Sequence, residues 1–451
     1  MQTATNSFSS PVRAMDVLRL AWPIVVSMLS YTCTSLVDVL VVGWLGTTEL
    51  AAVGLAVTGL YLVRAMGLGV LSGSRIATAQ ATGAGRHSDA ERYGWHTVYM
   101  GLAFGILVLP ATVVSYPVFL ASGATPDVAA MAASYTNIML FGAVFTFLLF
   151  GLTAWFQGRG DTRTPMVANV VSNVLNAVLT PALVFGVGAI PAMGISGAGL
   201  ATVIGTAVGA ACLIVPLALR SGRSAFAGSR RLFSHIARLG FPMGFAWTLD
   251  VGSFAGFVAI LAACGNEHLA AHVLVMRIVS VSFLPGHAIG QAAGVLAGQA
   301  VGAGRPDVAR QSVYAGLRVA TVIMVPLGVV FWLAPEFVLA PFSVAPDVAA
   351  LATTLLLIAA GFQVFDAIAM VLFQGISGAG DTRFVTVTMT LAAWLVKLPI
   401  GYAFAIPLGL GAVGAWLGFT VEIIVVAAVL AARLRSGRWL LSPMPVAALA
   451  T

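Results

Sequence analysis

The chain has 451 residues, of which 60% are hydrophobic and only 8% carry a charge. Its mean hydropathy is +1.01, whereas a soluble domain has roughly 25% charged residues, so the composition excludes an ordinary water-soluble globular protein. The three cysteines are too few and too scattered for a disulfide framework or a cysteine metal cluster.

Apolar stretches long enough to cross a bilayer recur along the whole chain. Crossing a hydrocarbon core roughly 30 Å thick takes about 20 mainly apolar residues in a helix. The pattern predicts an all-α polytopic membrane protein with twelve transmembrane helices. They are expected at 16–42, 52–76, 93–118, 131–155, 166–188, 196–219, 236–262, 269–296, 311–333, 349–374, 386–406 and 412–433. No small-residue cleavage site follows the first stretch, which therefore predicts a retained helix rather than a signal peptide.

The arginines lie on alternate connections between these stretches. They flank the first stretch and follow the second, fourth, sixth, eighth, tenth and twelfth, whereas the other connections contain no Lys or Arg. The positive-inside rule then predicts a bacterial inner-membrane protein with both termini in the cytoplasm. The net charge of +7 is therefore a signal of topology, and no nucleic-acid partner is expected.

The two halves of the chain repeat each other. The sequence Gly-Ala-Gly-Arg at 83–86 recurs at 302–305, and Gly-Asp-Thr-Arg at 160–163 recurs at 380–383. The copies keep their order, which indicates duplication of a six-helix unit. Because six is an even number of spans, both copies have the same orientation, and a pseudo-twofold axis along the membrane normal is predicted to relate two six-helix lobes.

The repeat predicts four segments along the chain. They are an N-terminal lobe at 1–219, a cytoplasmic basic linker at 220–238, a C-terminal lobe at 239–435 and a cytoplasmic tail at 436–451. Duplicated lobes of this kind place a substrate cavity near the middle of the bilayer and expose it to each side in turn. This organisation favours a carrier over a channel.

Four carboxylates lie inside the predicted spans: Asp38, Asp250, Asp366 and Glu422. An ionised group at membrane depth costs roughly 2.5 to 3.5 kcal/mol, so each one calls for a reason. The three aspartates have no acidic counterpart at the matching repeat position, which favours a role in coupling over one that every six-helix unit needs. The alternative is a structural carboxylate paired with a buried arginine or a hydroxyl group.

A carboxylate removed from water can exchange a proton at useful pH, and when ionised it attracts a metal ion or an organic cation. Asp38, Asp250 and Asp366 are therefore candidate proton- or cation-coupling residues. If the coupling ion is Na⁺, Asp250 and Asp366 are its candidate ligands. Glu422 is a candidate cavity-lining residue with the same structural alternative.

A polar stripe marks the fifth predicted span. Asn169, Asn173 and Asn176 recur at spacings of four and three, so they share one face of a helix. These asparagines either line a cavity in the first lobe or bond neighbouring helices. Elsewhere the chain has no Walker sequence and no pattern of nucleophile and base, so neither an enzyme nor a cofactor is expected.

Several short motifs recur in a fixed order along the chain. They are Val37-Asp38, Val42-Gly43, Leu50-Ala51-Ala52-Val53, Gln80 with the following Gly-Ala-Gly-Arg, and Gln157-Gly158 with the following Gly-Asp-Thr-Arg, together with the second copies of the last two. Each motif is weak alone, but their order, spacing and duplication resemble the multidrug and toxic compound extrusion (MATE) family over nearly the full chain.

Two further positions resemble the NorM-like branch of that family. Its seventh helix carries an acid eight residues after a proline, as Asp250 follows Pro242 here, although Glu is usual in bacterial exporters. Its tenth helix carries Gln-x-x-Asp, which Gln363 and Asp366 match; Gln363 is therefore also a candidate cavity-lining residue. The DinF-like branch has Asn-x-x-x-Asp-Pro in the fifth helix, and Thr180 stands here in place of that acid. The resemblance therefore implies coupling that involves the second lobe.

The resemblance implies a secondary-active multidrug exporter that antiports amphiphilic, cationic organic compounds against H⁺ or Na⁺ by alternating access of its lobes. A monomer in the lipid bilayer with small drug-like substrates is expected. The alternative within the superfamily is a flippase for lipid-linked precursors, whose pyrophosphate head would need a more cationic cavity; Arg64, Arg277 and Lys397, which lie deep in predicted spans, keep it open. An intramembrane enzyme or receptor is the alternative of another class.

Overall fold

A computed structural model describes residues 12–188, 191–226, 228–342 and 345–440. The end of the predicted cytoplasmic tail, from residue 441 onward, lies outside the described residues. Within them the chain is α-helical from Ala14 to Ser436, with short connections between the helices.

The first half of the described chain forms eight helices. They are α1 (Ala14–Gly43), α2 (Thr47–Gly83), α3 (His87–Leu107), α4 (Ala111–Ala121), α5 (Pro126–Phe141), α6 (Ala143–Gly158), α7 (Arg163–Phe185) and α8 (Ile195–Arg220).

The second half forms a further eight. They are α9 (Arg230–Cys264), α10 (Asn266–Gly302), α11 (Pro306–Leu333), α12 (Pro335–Leu339), α13 (Pro346–Gly378), α14 (Thr382–Ala392), α15 (Leu398–Ala405) and α16 (Gly411–Ser436). A π-helical turn, Ala393–Lys397, joins α14 to α15 into one continuous segment.

Ten helical segments of the described chain are long and apolar enough to cross a membrane, with α14 and α15 counted as one segment. Two bent pairs, α3 with α4 and α5 with α6, bring the number to twelve if each pair forms one span. The all-α fold class and the positions of the predicted spans are therefore confirmed.

The third and fourth predicted spans, 93–118 and 131–155, are each broken into two helices. The helix axis bends by 53° between α3 and α4 and by 52° between α5 and α6. Pro110 immediately precedes α4, where its missing N–H and fixed φ interrupt the helical ladder. Gly142 separates α5 from α6, and a side chain there would collide with Val203 of α8.

The sequence repeat has a counterpart in backbone geometry. Gly85 and Gly304 both adopt a positive φ, of 71° and 69°, which only glycine adopts without strain. The following amides, of Arg86 and Arg305, each donate to a carbonyl five residues back, at 3.0 and 2.9 Å. The duplicated Gly-Ala-Gly-Arg sequence therefore ends α2 and α10 in the same way.

The described chain divides into two compact units. The first unit comprises 23–82 and 86–245, and the second comprises 12–22, 83–85 and 246–440. The opening turns of α1 belong to the second unit because Val17 and Ala21 lie in its apolar core. The division into lobes at 1–219 and 239–435 stays a prediction.

In the second unit, glycines allow α10 and α13 to pack closely. A Cβ atom on Gly290 would lie 2.8 Å from the carbonyl oxygen of Met370, and one on Gly294 would collide with the carbonyl of Gln374. Small residues of this kind let transmembrane helices approach one another. The close packing fixes the helix that carries Asp366.

Candidate functional site

The second unit contains a cavity of about 360 Å³, within the range of roughly 300 to 1,000 Å³ that is usual for small-molecule sites. Most of its lining is apolar or aromatic. The lining residues come from α9, α10, α13, α14, the π-helical turn and α16: Ala246, Trp247, Asp250, Phe254, Phe283, His287, Asp366, Ala369, Met370, Phe373, Met389, Thr390, Ala393, Trp394, Lys397, Phe419, Glu422, Ile423 and Val426.

Lys397 lies at the centre of the charged part of this cavity. Its Nζ atom is 3.5 Å from Oε2 of Glu422 and 3.9 Å from Oδ1 of Asp250. The side chains of Lys397 and Glu422 are only 5% and 8% exposed, whereas that of Asp250 is 69% exposed. The ring of Phe419 also faces the ammonium group, with its centroid 6.0 Å from Nζ. One buried cation therefore lies between two carboxylates.

The backbone departs from a regular α-helix at this point. Lys397 is the last residue of the π-helical turn, and Pro399 follows two residues later. In a regular α-helix the ring of Pro399 would clash with the carbonyl group of Leu395, four residues earlier. Leu395 lies within the wider π-helical turn. The proline alone does not explain the turn, because Pro181 occupies the matching repeat position in α7, which is α-helical around it. π-helical turns inside α-helices are frequent at functional sites.

Asp366 lines the same cavity from α13. The residue is 7% exposed, and among the described residues its Oδ2 atom has no hydrogen-bond partner. Ser253 donates to Asp250 Oδ1 at 3.3 Å, so Asp250 has a partner besides Lys397. Within the described ranges, no group of three acidic, histidine or cysteine side chains is arranged to hold a metal ion.

Gln363 lies one turn before Asp366 but is not part of the cavity lining. It is fully buried and lies against Gly328 of α11. Neither polar atom of its amide has a partner in the part of the chain that the structure describes. The Gln-x-x-Asp pattern therefore brings only its acid to the cavity.

Asp38 belongs to the first unit and is half-buried. The hydroxyl group of Thr180 donates to its Oδ1 atom at 2.8 Å. The threonine that stands in place of the DinF-like acid thus binds the carboxylate of α1. This contact is the kind that the structural alternative for Asp38 described.

The three asparagines of α7 bond side chains of neighbouring helices in the first unit. Asn169 donates to Thr153 of α6 at 3.2 Å, and Asn176 donates to Thr202 of α8 at 2.9 Å. Asn173 donates to the hydroxyl group of Ser30 in α1. These contacts favour helix bonding over cavity lining for this polar face.

Sequence reasoning did not single out Thr390 or most of the aromatic lining, such as Phe254 and Phe419. Thr390 is a cavity residue whose hydroxyl oxygen has no partner among the described residues. Helical spacing was the signal that could have found these residues, because lining residues on each helix recur at intervals of three and four. On α16, for example, they are Phe419, Glu422, Ile423 and Val426.

The sequence profile of the MatE family matches residues 23–182 and 242–403. The chain belongs to the MatE family. The two matches cover both halves, in keeping with the duplication, and this MatE protein therefore carries one family unit in each half. The cavity residues up to Lys397 lie within the second match, and those on α16 lie beyond it.

Curated relatives of this MatE protein are named as multidrug resistance proteins. The multidrug resistance protein NorM of Burkholderia vietnamiensis is 31% identical over 446 residues, which is 96% of each chain. The probable multidrug resistance protein NorM of Deinococcus radiodurans is 32% identical over 92% of this chain and 93% of its own. Neither name describes an enzyme, as the sequence led us to expect.

Solved structures share the fold of this MatE protein. A MOP superfamily transporter from Pyrococcus furiosus superposes with a TM-score of 0.87 at 21% identity, covering 98% of this chain and 99% of that one. A multidrug resistance MATE family transporter of the MOP superfamily in an outward-facing conformation gives 0.88 at 21% identity, covering 97% and 99%. The protein is thus a multi-pass membrane protein with the fold of these transporters.

Proposed function

We propose that this protein is a secondary-active multidrug exporter that exchanges amphiphilic, cationic organic compounds for H⁺ or Na⁺. The observation that carries the proposal is the cavity of the second unit, where an apolar and aromatic lining surrounds three carboxylates and one lysine. The names of the relatives as multidrug resistance proteins support it.

The chemistry of the cavity suits an organic cation. Aromatic rings such as those of Trp247, Phe254 and Phe419 line it, and such rings attract ammonium groups through their faces. With all groups ionised, three acids against one lysine leave the cavity with two net negative charges. An apolar molecule with a positive group therefore matches both properties of the lining.

Ion coupling follows from competition for a carboxylate. Asp250 and Glu422 are paired with Lys397, whereas Asp366 forms no ion pair and its Oδ2 atom has no hydrogen-bond partner among the described residues. Asp366 is therefore the member of the cluster that is open to an incoming cation. If the exchanged ion and the substrate compete for it, neither crosses without the other. Asp250 and Asp38 are proposed to take part in coupling, and Glu422 to set the charge of the cavity. No cofactor is required for such a cycle.

The driving force limits what the exchange achieves. The membrane voltage supplies about 2.3 kcal/mol per charge per 100 mV, and a tenfold ion gradient supplies about 1.4 kcal/mol. One H⁺ exchanged for one monovalent cation moves no net charge, so it concentrates the substrate about tenfold per pH unit. Stronger pumping requires a second ion.

The proposal includes the setting of the protein in the cell. It is a monomer in the bacterial inner membrane with both termini in the cytoplasm, as the distribution of arginines favours. The lobes at 1–219 and 239–435 alternate in exposing the substrate to each side. The flippase alternative is less well supported, because Lys397 is already paired with Glu422 and Asp250 and is not available for a pyrophosphate group.

The test is efflux of a fluorescent organic cation from everted membrane vesicles under an imposed pH or Na⁺ gradient. We expect gradient-driven transport in the wild type and its loss in Asp366→Asn and Asp250→Asn. Asp347→Asn is the matched control, because Asp347 lies on the same helix as Asp366 but is exposed in its first turn, outside the cavity. Transport that ignores both gradients, or that persists unchanged in both cavity variants, would refute the coupling assignment.

A further inference from the structure

Lys397 is the only lysine of the chain, and its ammonium group takes the position that a free cation would take between two acids. The group is within 4 Å of carboxylates on α9 and on α16. Its side chain is almost completely buried, and so is that of Glu422. A buried charge persists in such a place only when it is paired.

The local helix geometry positions the Lys397 ammonium group. The π-helical turn that ends at Lys397 shifts the residue relative to its place in a regular helix, and the Phe419 ring faces the ammonium group. The matching helix of the first half, α7, has no such turn around Pro181. The lysine and the π-helical turn that positions it therefore have no counterpart at the matching place in α7.

A free alkali ion could not join this pair without cost. Hard cations are held by several oxygen ligands at short range, and the Lys397 ammonium already takes the facing oxygens of Glu422 and Asp250. A second positive charge at this place would be repelled by the first at low dielectric. Asp366 is different, because it forms no ion pair with any described residue. Within the described ranges Glu422 Oε2, like Asp366 Oδ2, accepts no hydrogen bond, but it lies 3.5 Å from the Lys397 ammonium group.

We infer that Lys397 is a resident counter-cation that fills the cation position between Asp250 and Glu422 and excludes Na⁺ from it. The inference deepens the proposed function and rests on it. It assigns Lys397 the role of an ion-specificity determinant. The pair Asp250 and Glu422 is closed to alkali ions, so Asp250 takes part only in proton exchange, and Asp366 is the cavity carboxylate that stays open to either ion.

The inference is tested by binding of radioactive Na⁺ to the purified full-length protein in detergent, in a buffer without organic cations. We expect any saturable binding to the wild type to persist unchanged in Glu422→Gln. Lys397→Met removes the resident cation and should add one saturable site that unlabelled Na⁺ displaces. Lys397→Arg keeps the positive charge and should add none. The double variant Lys397→Met/Glu422→Gln should lose the new site.

Two results would overturn the inference. One is saturable Na⁺ binding by the wild type that Glu422→Gln abolishes. The other is a Lys397→Met or Lys397→Gln protein that elutes as a single folded species and binds no more Na⁺ than the wild type. Because binding is measured without transport, failure of efflux under every gradient would refute the proposed function and leave this binding result intact.

Discussion

The two copies of the Gly-Asp-Thr-Arg motif place their aspartates in different surroundings, and this difference predicts unequal effects of one substitution. Nε of Arg433 donates a hydrogen bond to Oδ2 of Asp381 at 2.8 Å, and Nη2 of the same guanidinium group forms an ion pair with that oxygen, also at 2.8 Å. Asp161 instead accepts from the backbone amide and the hydroxyl group of Thr164, at 3.0 and 2.7 Å. We therefore expect Asp381→Asn to destabilise the protein more than Asp161→Asn.

The magnitude follows from burial and from what asparagine keeps. Breaking a buried ion pair costs about 3 to 5 kcal/mol. Arg433 retains 18% exposure in the last turn of α16 and can turn toward solvent, which favours the lower value. The amide oxygen of asparagine still accepts one hydrogen bond, worth about 1 kcal/mol. About 2 kcal/mol of destabilisation remains for Asp381→Asn.

Asparagine at 161 keeps an oxygen for the Thr164 amide, so a loss of less than about 1 kcal/mol is expected there. The assay is the free energy of unfolding of both variants from a denaturing-detergent titration in mixed micelles. Replacing Asp381 and Arg433 together by leucine should restore part of the loss, since removing a whole buried pair is often neutral. Equal losses at 161 and 381, or no restoration in the double variant, would refute the reasoning.

Three further substitutions have expected outcomes. Gly290→Ala puts a methyl group 2.8 Å from a backbone oxygen of α13 and should lower the free energy of unfolding by about 1 kcal/mol or more. In the control Gly361→Ala the new methyl group meets nothing within 4 Å, so the free energy of unfolding should stay the same or rise. The denaturing-detergent titration measures both variants. Thr180→Val removes the hydrogen bond to Asp38 and should cost about 1 kcal/mol, with Thr180→Ser as the control; a serine variant as unstable as the valine variant would contradict this. The Nε2 atom of His96 accepts a hydrogen bond from the backbone amide of Ser229 at 2.8 Å. His96→Phe removes this bond and should speed proteolysis of the linker near Ser229. An unchanged cleavage rate would contradict the contact.

The sequence predicted the helices well because length and hydropathy decide whether a segment crosses a bilayer. All twelve predicted spans correspond to helices or bent helix pairs, and the duplicated glycines at 85 and 304 share one backbone geometry. The breaks near Pro110 and Gly142 were not predicted. An apolar stretch reads as continuous whether or not the helix bends, and the contact of Gly142 with α8 cannot be read from local sequence.

The candidate site was predicted only in part. The cost of burying a charge singled out Asp38, Asp250, Asp366 and Glu422, and the cavity brings the last three together. The pairing of Asp250 and Glu422 with Lys397 joins residues from three separate helices, and no periodic pattern encodes that meeting. The π-helical turn was not predicted. Pro399 is not a sufficient signal for it, because Pro181 at the matching position of α7 produces no such turn.

Obligatory exchange is the central claim, and it is tested most directly by running the cycle backwards. Purified protein in liposomes would be given a gradient of an organic cation, with no imposed ion or voltage gradient, while H⁺ and Na⁺ movements are recorded. The account predicts that the wild type and Asp347→Asn move an ion against the substrate flow and that Asp366→Asn does not. Substrate flow without any opposing ion movement in the wild type would contradict it.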